Sequence, residues 1–411
     1  MTDIVEAPSQ AWLELQRRLL RQHVISAVHP DGGFAWLGDD CTPQLERPVE
    51  LWITARMTHV AALSVLEGDP SLEHALMHGV VALRDAFRDK RFGGWFAAVR
   101  DGAPTQSDKR AYEHAFVILA LCSASAAGAD GARQLLDEAL EIFHGRFWRA
   151  DDGLTVDVWD RSWSELEAYR GVNANMHTVE ALLAAADVTG QTLWSDCAAS
   201  IVERVVHGFA ASHAFRLPEH FTPGWQVMLE HNREDPAHPF RPFGVTIGHL
   251  LEWARLTLQT RTALGASAPA WMLPDANSLF EVAVRDGWAV DGHPGFVYTT
   301  DFTGGPVVRD RLHWVVTEAI AAAWALYEAT GEPAYADWHA VWWDHARELF
   351  VDARDGSWRH ELSPENRPAS TVWKGRPDVY HAYQAALLPS LSRPRSFAGA
   401  LLEGAAEART P

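Results

Sequence analysis

The chain has 411 residues, with 35 Lys and Arg against 54 Asp and Glu, for a formal net charge of −19. That balance excludes nucleic acid and anionic membranes as partners, since both require a basic footprint. The apolar fraction of 47% and the charged fraction of 22% are those of an ordinary soluble globular protein, and no apolar run reaches the roughly 18 residues of a membrane span.

Cys41, Cys122 and Cys197 lie far apart with no CxxC spacing, which predicts neither a disulfide framework nor a zinc site. No basic region followed by an apolar run opens the chain, so the sequence predicts no signal peptide and a reduced, cytoplasmic protein.

Along the chain one pattern recurs. Gly32-Gly33-Phe34-Ala35-Trp36 reads as a turn, and Ala55-Arg56-Met57-Thr58-His59 then opens an apolar helix that Glu67-Gly68-Asp69-Pro70 breaks. The loop Phe92-Gly93-Gly94-Trp95-Phe96 leads to Tyr112-Glu113-His114-Ala115-Phe116 and an apolar helix to residue 127. Residues 135–143 follow with the spacing of a half-buried helix, then a turn at Asp151-Asp152-Gly153-Leu154. Asn175-Met176-His177-Thr178-Val179-Glu180 opens the third apolar helix, which ends at Thr189-Gly190-Gln191. An insertion, residues 212–245, carries Pro, His and Arg and is expected to form a lid or wall. Gly248-His249-Leu250-Leu251-Glu252 opens the fourth helix, and Gly295-Phe296-Val297-Tyr298 is its loop. Thr317-Glu318-Ala319-Ile320 starts the fifth, which Thr330-Gly331-Glu332-Pro333 stops. Val341 to Phe350 is again half-buried, and Asp355-Gly356-Ser357-Trp358 turns toward Tyr380-His381-Ala382-Tyr383.

The markers Arg56, Tyr112, His177, His249, Glu318 and His381 are 56, 65, 72, 69 and 63 residues apart. A helix apolar on nearly every face is a buried one, and its amphipathic successor covers it. Glycine after the last apolar turn caps the helix, and a following proline forbids its continuation. Six such pairs predict an all-α fold, an (α/α)6 barrel with short hairpins in its loops, and one catalytic domain over residues 1–411, because no single repeat can bury its own apolar face.

The markers are also the chemistry. Imidazole titrates near neutrality, so His249 and His381 are the candidate acid and base. His249 with Glu252, and His177 with Glu180, have the i, i+3 spacing by which a carboxylate can orient a ring. The order is HxxE, neither ExxH nor HExxH, so no metal and no cofactor is expected. A glycoside hydrolase would instead need two carboxylates, for which Glu252, Glu318 and Asp160 are the candidates. Of the 19 tryptophans, most are expected to anchor loops and a few to line a pocket for a polar ligand.

Leu51-Trp52-Ile53-Thr54-Ala55-Arg56-Met57, Asn173-Ala174-Asn175-Met176-His177, Gly248 to Trp253 and Trp373-Lys374-Gly375-Arg376-Pro377-Asp378-Val379-Tyr380-His381 resemble the N-acylglucosamine 2-epimerase superfamily. The likeness runs from about Trp12 to Leu391 and is strongest to its aldose–ketose isomerase branch, which holds mannose and sulfoquinovose isomerases. The resemblance implies an (α/α)6 barrel and metal-free interconversion of an aldose and its 2-ketose through a cis-enediolate. It makes His381 the base between C2 and C1, and His249 the partner imidazole. It implies sugar contacts from Arg56, Tyr112, Asn173 and His177, with Trp314 and His360 in the same substrate-binding set. Glu252 and Glu318 would support the two histidines. Sulfoquinovose isomerases carry Gln at the position of His360 and Arg at that of Pro239. Both differences favour a neutral sugar here, hence D-mannose to D-fructose, with D-lyxose to D-xylulose as a side activity. A sugar 2-epimerase or a sulfoquinovose isomerase is the near alternative. The monosaccharide is the one partner expected of a monomer or homodimer.

Overall fold

The computed structural model describes residues 6–407. Their backbone is mostly helical, with strands of two to four residues between the helices. Contacts divide the chain into two compact units. The first holds Leu20–Ile201, Arg376–Tyr380 and the chain from Pro394 on; the second holds the chain up to Leu19, Val202–Gly375 and His381–Arg393.

In the first unit, helix α1 (Gln10–Ser26) contributes its last turns. The apolar helices are α2 (Leu51–Leu66), α4 (Ala111–Ala126) and α6 (Val172–Thr189), each followed by a covering helix, α3 (Glu73–Asp85), α5 (Ala132–Ile142) or α7 (Thr192–Val202). Helix α2 packs on α4, and α4 on α6. Every residue of α2 from Leu51 to Ser64 is buried. Helix α5 buries Ala132, Leu135, Leu136, Ala139 and Leu140 and turns its other face to water, as its spacing predicts.

The second unit repeats the plan. Helix α8 (Ile247–Leu264) is buried from Ile247 to Thr260 and packs on α10 (His313–Thr330). Helices α9 (Met272–Gly287) and α11 (Pro333–His345) are their hairpin partners, and α12 (Tyr380–Leu387) carries the last marker. A final helix, α13 (Phe397–Glu407), lies against α2, α4 and α6 of the first unit.

Each apolar helix leaves a short strand without a side-chain cap. Glu50, Arg110, Gly171, Thr246 and Leu312 occupy the cap positions in extended conformation. The first free N–H is met by backbone instead: Leu51 N donates to Ala97 O at 2.9 Å, Ala111 N to Asp157 O at 2.8 Å, Ile247 N to Tyr298 O at 3.1 Å and His313 N to His360 O at 3.0 Å. These bonds meet a donor that a Ser or Asp would otherwise cap. The side chains of the first two turns are therefore left for chemistry, and all six markers fall there.

The stops follow the sequence too. Gly190 and Gly331 end α6 and α10 at φ of 71° and 73°, the left-handed conformation that glycine adopts without strain. The expected loop hairpins are present as bridges between Arg88 and Trp95, Trp288 and Phe296, and Val351 and Trp358. The insertion is a looped segment held by its own contacts. His220 Nε2 bonds Pro242 O at 2.7 Å, and Phe221 packs on Phe209 and Trp225. Among the described residues, no helix is long and apolar enough to cross a membrane.

Candidate active site

In the second unit, two imidazoles flank one indole. The His249 ring lies 5.3 Å from that of Trp314, and the His381 ring 6.0 Å from it, centroid to centroid. Both histidines are buried, with 6% of their surface exposed. His249 Nδ1 is 2.9 Å from Glu219 Oε1, and His381 Nδ1 is 2.9 Å from Glu318 Oε1. An ionised carboxylate only accepts, so each Nδ1 carries a proton and Nε2 is the nitrogen able to gain or lose one. Two buried imidazoles held in the same way thus share one wall.

Glu318 is itself held. Its second oxygen accepts Arg255 Nε at 2.9 Å, and Arg255 also reaches Gln259 Oε1 at 3.1 Å and Glu252 Oε1 at 3.5 Å. Burial alone would raise the Glu318 carboxyl. The Arg255 charge and the His381 hydrogen bond outweigh it and hold the group below the usual carboxylate range. A guanidinium in the middle of an apolar helix is the cation that makes two buried carboxylates tolerable.

Here the structure departs from an expectation. The i, i+3 spacing predicts Glu252 as the orienter of His249, but the oxygen on Nδ1 belongs to Glu219, in the insertion. Glu252 lies one turn deeper in α8 and shares Arg255 with Glu318, because a buried carboxylate needs a cation more than it needs a neutral ring. Glu318, which the resemblance assigns to supporting a histidine, has its Oε1 2.9 Å from His381 Nδ1. His360 stacks on His313 at 3.8 Å between centroids, and His313 lies edge-on to His381 at 6.2 Å.

The remaining predicted residues belong to the first unit. Arg56 Nη1 donates to Asp378 Oδ2 at 3.1 Å and Nη2 to Tyr112 Oη at 3.0 Å. Its guanidinium lies over the rings of Phe116 at 4.3 Å, Tyr380 at 4.8 Å and Trp52 at 5.0 Å. Burial opposes its charge, but the Tyr112 phenol and the Asp378 carboxylate more than restore it, so Arg56 is a permanent cation. The His177 ring packs against Phe116 and Tyr112 at 4.6 and 5.1 Å. Its Nδ1 lies 4.0 Å from Glu180 Oε2, too far for a hydrogen bond, and that oxygen accepts the Tyr380 hydroxyl. Asn173 is half-buried in the first turn of α6.

Other histidines at helix starts are structural. His114 accepts Trp95 N at 3.2 Å and bonds Arg110 O, and burial pushes it down to about 3. His59, bonded to Ser123 Oγ at 2.7 Å, is pushed down by burial to about 4. The hydrolase candidate Asp160 is a half-buried residue at a turn. Hydrogen bonds from Ser162, Ser164 and Glu165 hold it below the carboxylate range, which is unsuited to a general acid.

Sequence reasoning missed Glu219 and Arg255 as parts of this arrangement. Arg255 had a signal, as a charge inside an otherwise buried helix; Glu219 had none, since no repeat marks the insertion.

The family model described as N-acylglucosamine 2-epimerase (GlcNAc 2-epimerase) matches residues 32–385. The chain is 50% identical over 397 residues to a D-mannose isomerase of Thermobifida fusca, covering 96% of this chain and 97% of that one. It is 47% identical over 395 residues to a D-mannose isomerase of Pseudomonas cannabina pv. alisalensis, covering 95% and 94%. A crystal structure of a D-mannose isomerase superposes with a TM-score of 0.87 at 28% identity, over 93% of this chain and 98% of the other. Cellobiose 2-epimerase of Spirochaeta thermophila shares the fold, an (α/α)6 barrel, at a TM-score of 0.81 and 22% identity, over 97% of both chains. The chain therefore belongs to the N-acylglucosamine 2-epimerase family and is an enzyme of the isomerase class.

Proposed function

We propose that the enzyme interconverts D-mannose and D-fructose by metal-free proton transfer through a cis-enediolate, and D-lyxose and D-xylulose more slowly. The observation that carries this is the pair of buried imidazoles flanking Trp314, each with its Nδ1–H held by a carboxylate. The likeness to D-mannose isomerases supports the choice of sugar.

His249, as its imidazolium, gives a proton to the ring oxygen as the sugar opens and takes the anomeric O1 proton in return. His381 Nε2 then removes the C2 proton of the open aldose, and a proton from His249 reaches O1, giving the enediol. Loss of the O2 proton back to His249 and return of the first proton from His381 to C1 leave the 2-ketose. Removing a proton next to a carbonyl needs a base at carbon and a donor at oxygen in one site. Arg56, Tyr112, Asn173, His177 and His360 are assigned to binding sugar oxygens, with the Arg56 cation suited to enediolate charge. The whole chain, residues 1–411, is proposed to act as one catalytic domain.

The test is proton NMR of the EDTA-treated enzyme with D-mannose in D2O. Fructose deuterated at C1 is the expected product. Glucose as the main early product would reassign the enzyme as a 2-epimerase, and unchanged mannose would overturn the proposal.

A further inference from the structure

Glu219, a residue of the insertion, meets His249 through its carboxylate, and its placement is constructed. It is buried to 3% exposure, and its neighbours fix it from both sides. His220 bonds Pro242 O at 2.7 Å and packs on the His231 ring at 4.5 Å. Met228 N donates to His220 O at 2.9 Å, and Asn232 Nδ2 to Arg241 O at 2.6 Å. Phe221 sits between Phe209 and Trp225 at 4.5 and 5.6 Å. A carboxylate buried on so constrained a segment is aimed, and what it meets is His249 Nδ1 at 2.9 Å.

We infer that Glu219 is the positioning residue for His249, so that residues 212–245 are part of the acid–base machinery and not a cover over it. This rests on the acid–base role proposed above. The Glu219 carboxylate accepts Nδ1–H, which fixes the tautomer with the lone pair on Nε2 and the plane of the ring against Trp314. It also stabilises the imidazolium that forms whenever His249 holds the extra proton. No bond in the reaction forms or breaks at Glu219. Its contribution falls on the proton-transfer step, so substrate affinity should change little when it is altered.

The test pairs kinetics with the ring tautomer. Glu219→Gln keeps the shape and removes the charge; Glu219→Ala removes the partner; Glu219→Asp keeps the charge on a shorter stem. Loss of such a partner costs on the order of 10 to 100-fold in activity. We expect kcat for mannose to fall by about that factor in Glu219→Gln and Glu219→Ala, with KM within about twofold, and Glu219→Asp to recover part of the loss. In proton–nitrogen NMR of histidine-labelled protein, the His249 signal, assigned by its loss in His249→Asn, should show Nδ1–H in the wild type and shift to the Nε2–H tautomer in Glu219→Ala. An unchanged tautomer with unchanged kcat would overturn the inference, as would a change confined to KM or to thermal stability. If the wild type fails to convert mannose while the tautomer still depends on Glu219, the proposed function falls and the positioning role stands.

Discussion

His381 Nδ1 and Arg255 Nε grip opposite oxygens of one carboxylate, that of Glu318, each at 2.9 Å. Glu318 thus fixes the tautomer of the proposed base on one side and is kept ionised by a guanidinium on the other. Glu318→Gln should therefore lower kcat by about 10 to 100-fold while the protein still folds. Kinetics with mannose, read beside the melting temperature, check it.

Arg255→Met should act differently. Removing the cation leaves Glu318 and Glu252 buried with less compensation, and breaking a buried pair costs roughly 3–5 kcal/mol. The denaturant midpoint should fall, and acid should restore part of the loss by protonating a carboxylate. In the wild type the sign is the reverse: the Glu318 carboxyl titrates below its ordinary 4.5, so its stabilising effect is present above about pH 4.5 and is lost as the pH falls further.

His249→Asn and His381→Asn should each lower turnover by about 10²- to 10⁴-fold with the fold intact. Full activity in either variant would remove the acid–base assignment. Stopped assays with purified variants and circular dichroism measure both quantities.

Gly248→Ala tests the wall between the imidazoles. A methyl group at Gly248 would meet the Trp314 indole at 2.3 Å, and a rigid ring has no flexible end to move aside. We expect a destabilisation of about 1–3 kcal/mol, as overpacking produces, and a fall in kcat as Trp314 shifts against His249. A fully active, fully stable variant would show that the indole does not set the spacing.

Acid should weaken the fold before it protonates the carboxylates. Burial pushes His59, His220, His339 and His345 down to about 4 and His114 to about 3. Their folded values lie below the ordinary 6.5, so the stability they contribute is present above about pH 6.5 and is lost as the pH falls toward those values. The melting temperature should decline from about pH 6.5 to pH 4, and His59→Gln should flatten that decline.

The repeat was legible because burial and chemistry use different parts of each helix. The apolar bodies of α2, α4, α6, α8 and α10 set the period, and Arg56, Tyr112, His177, His249 and Glu318 stand out at their starts. His249 and His381 were legible as candidates by their equivalent positions at helix starts. Their partners were legible only in part. Glu318 is itself a marker, whereas Glu219 lies in an aperiodic segment whose contacts are set by tertiary packing. Glu252 misled because helical spacing gives proximity, while the buried Arg255 decides which charges pair. Trp95 is fully buried and bonds Leu83 O, serving as an anchor, and Trp314 lies beside both imidazoles.

The origin of Glu219 in the insertion also bears on how such an enzyme can be redesigned. A loop that shapes a pocket is the natural segment to exchange between relatives when a different sugar is wanted. Here that exchange would also replace the carboxylate that meets His249, the imidazole proposed to transfer protons. A chimera grafted at residues 212–245 should inherit its donor's turnover along with its donor's selectivity, unless an acidic residue is kept at position 219.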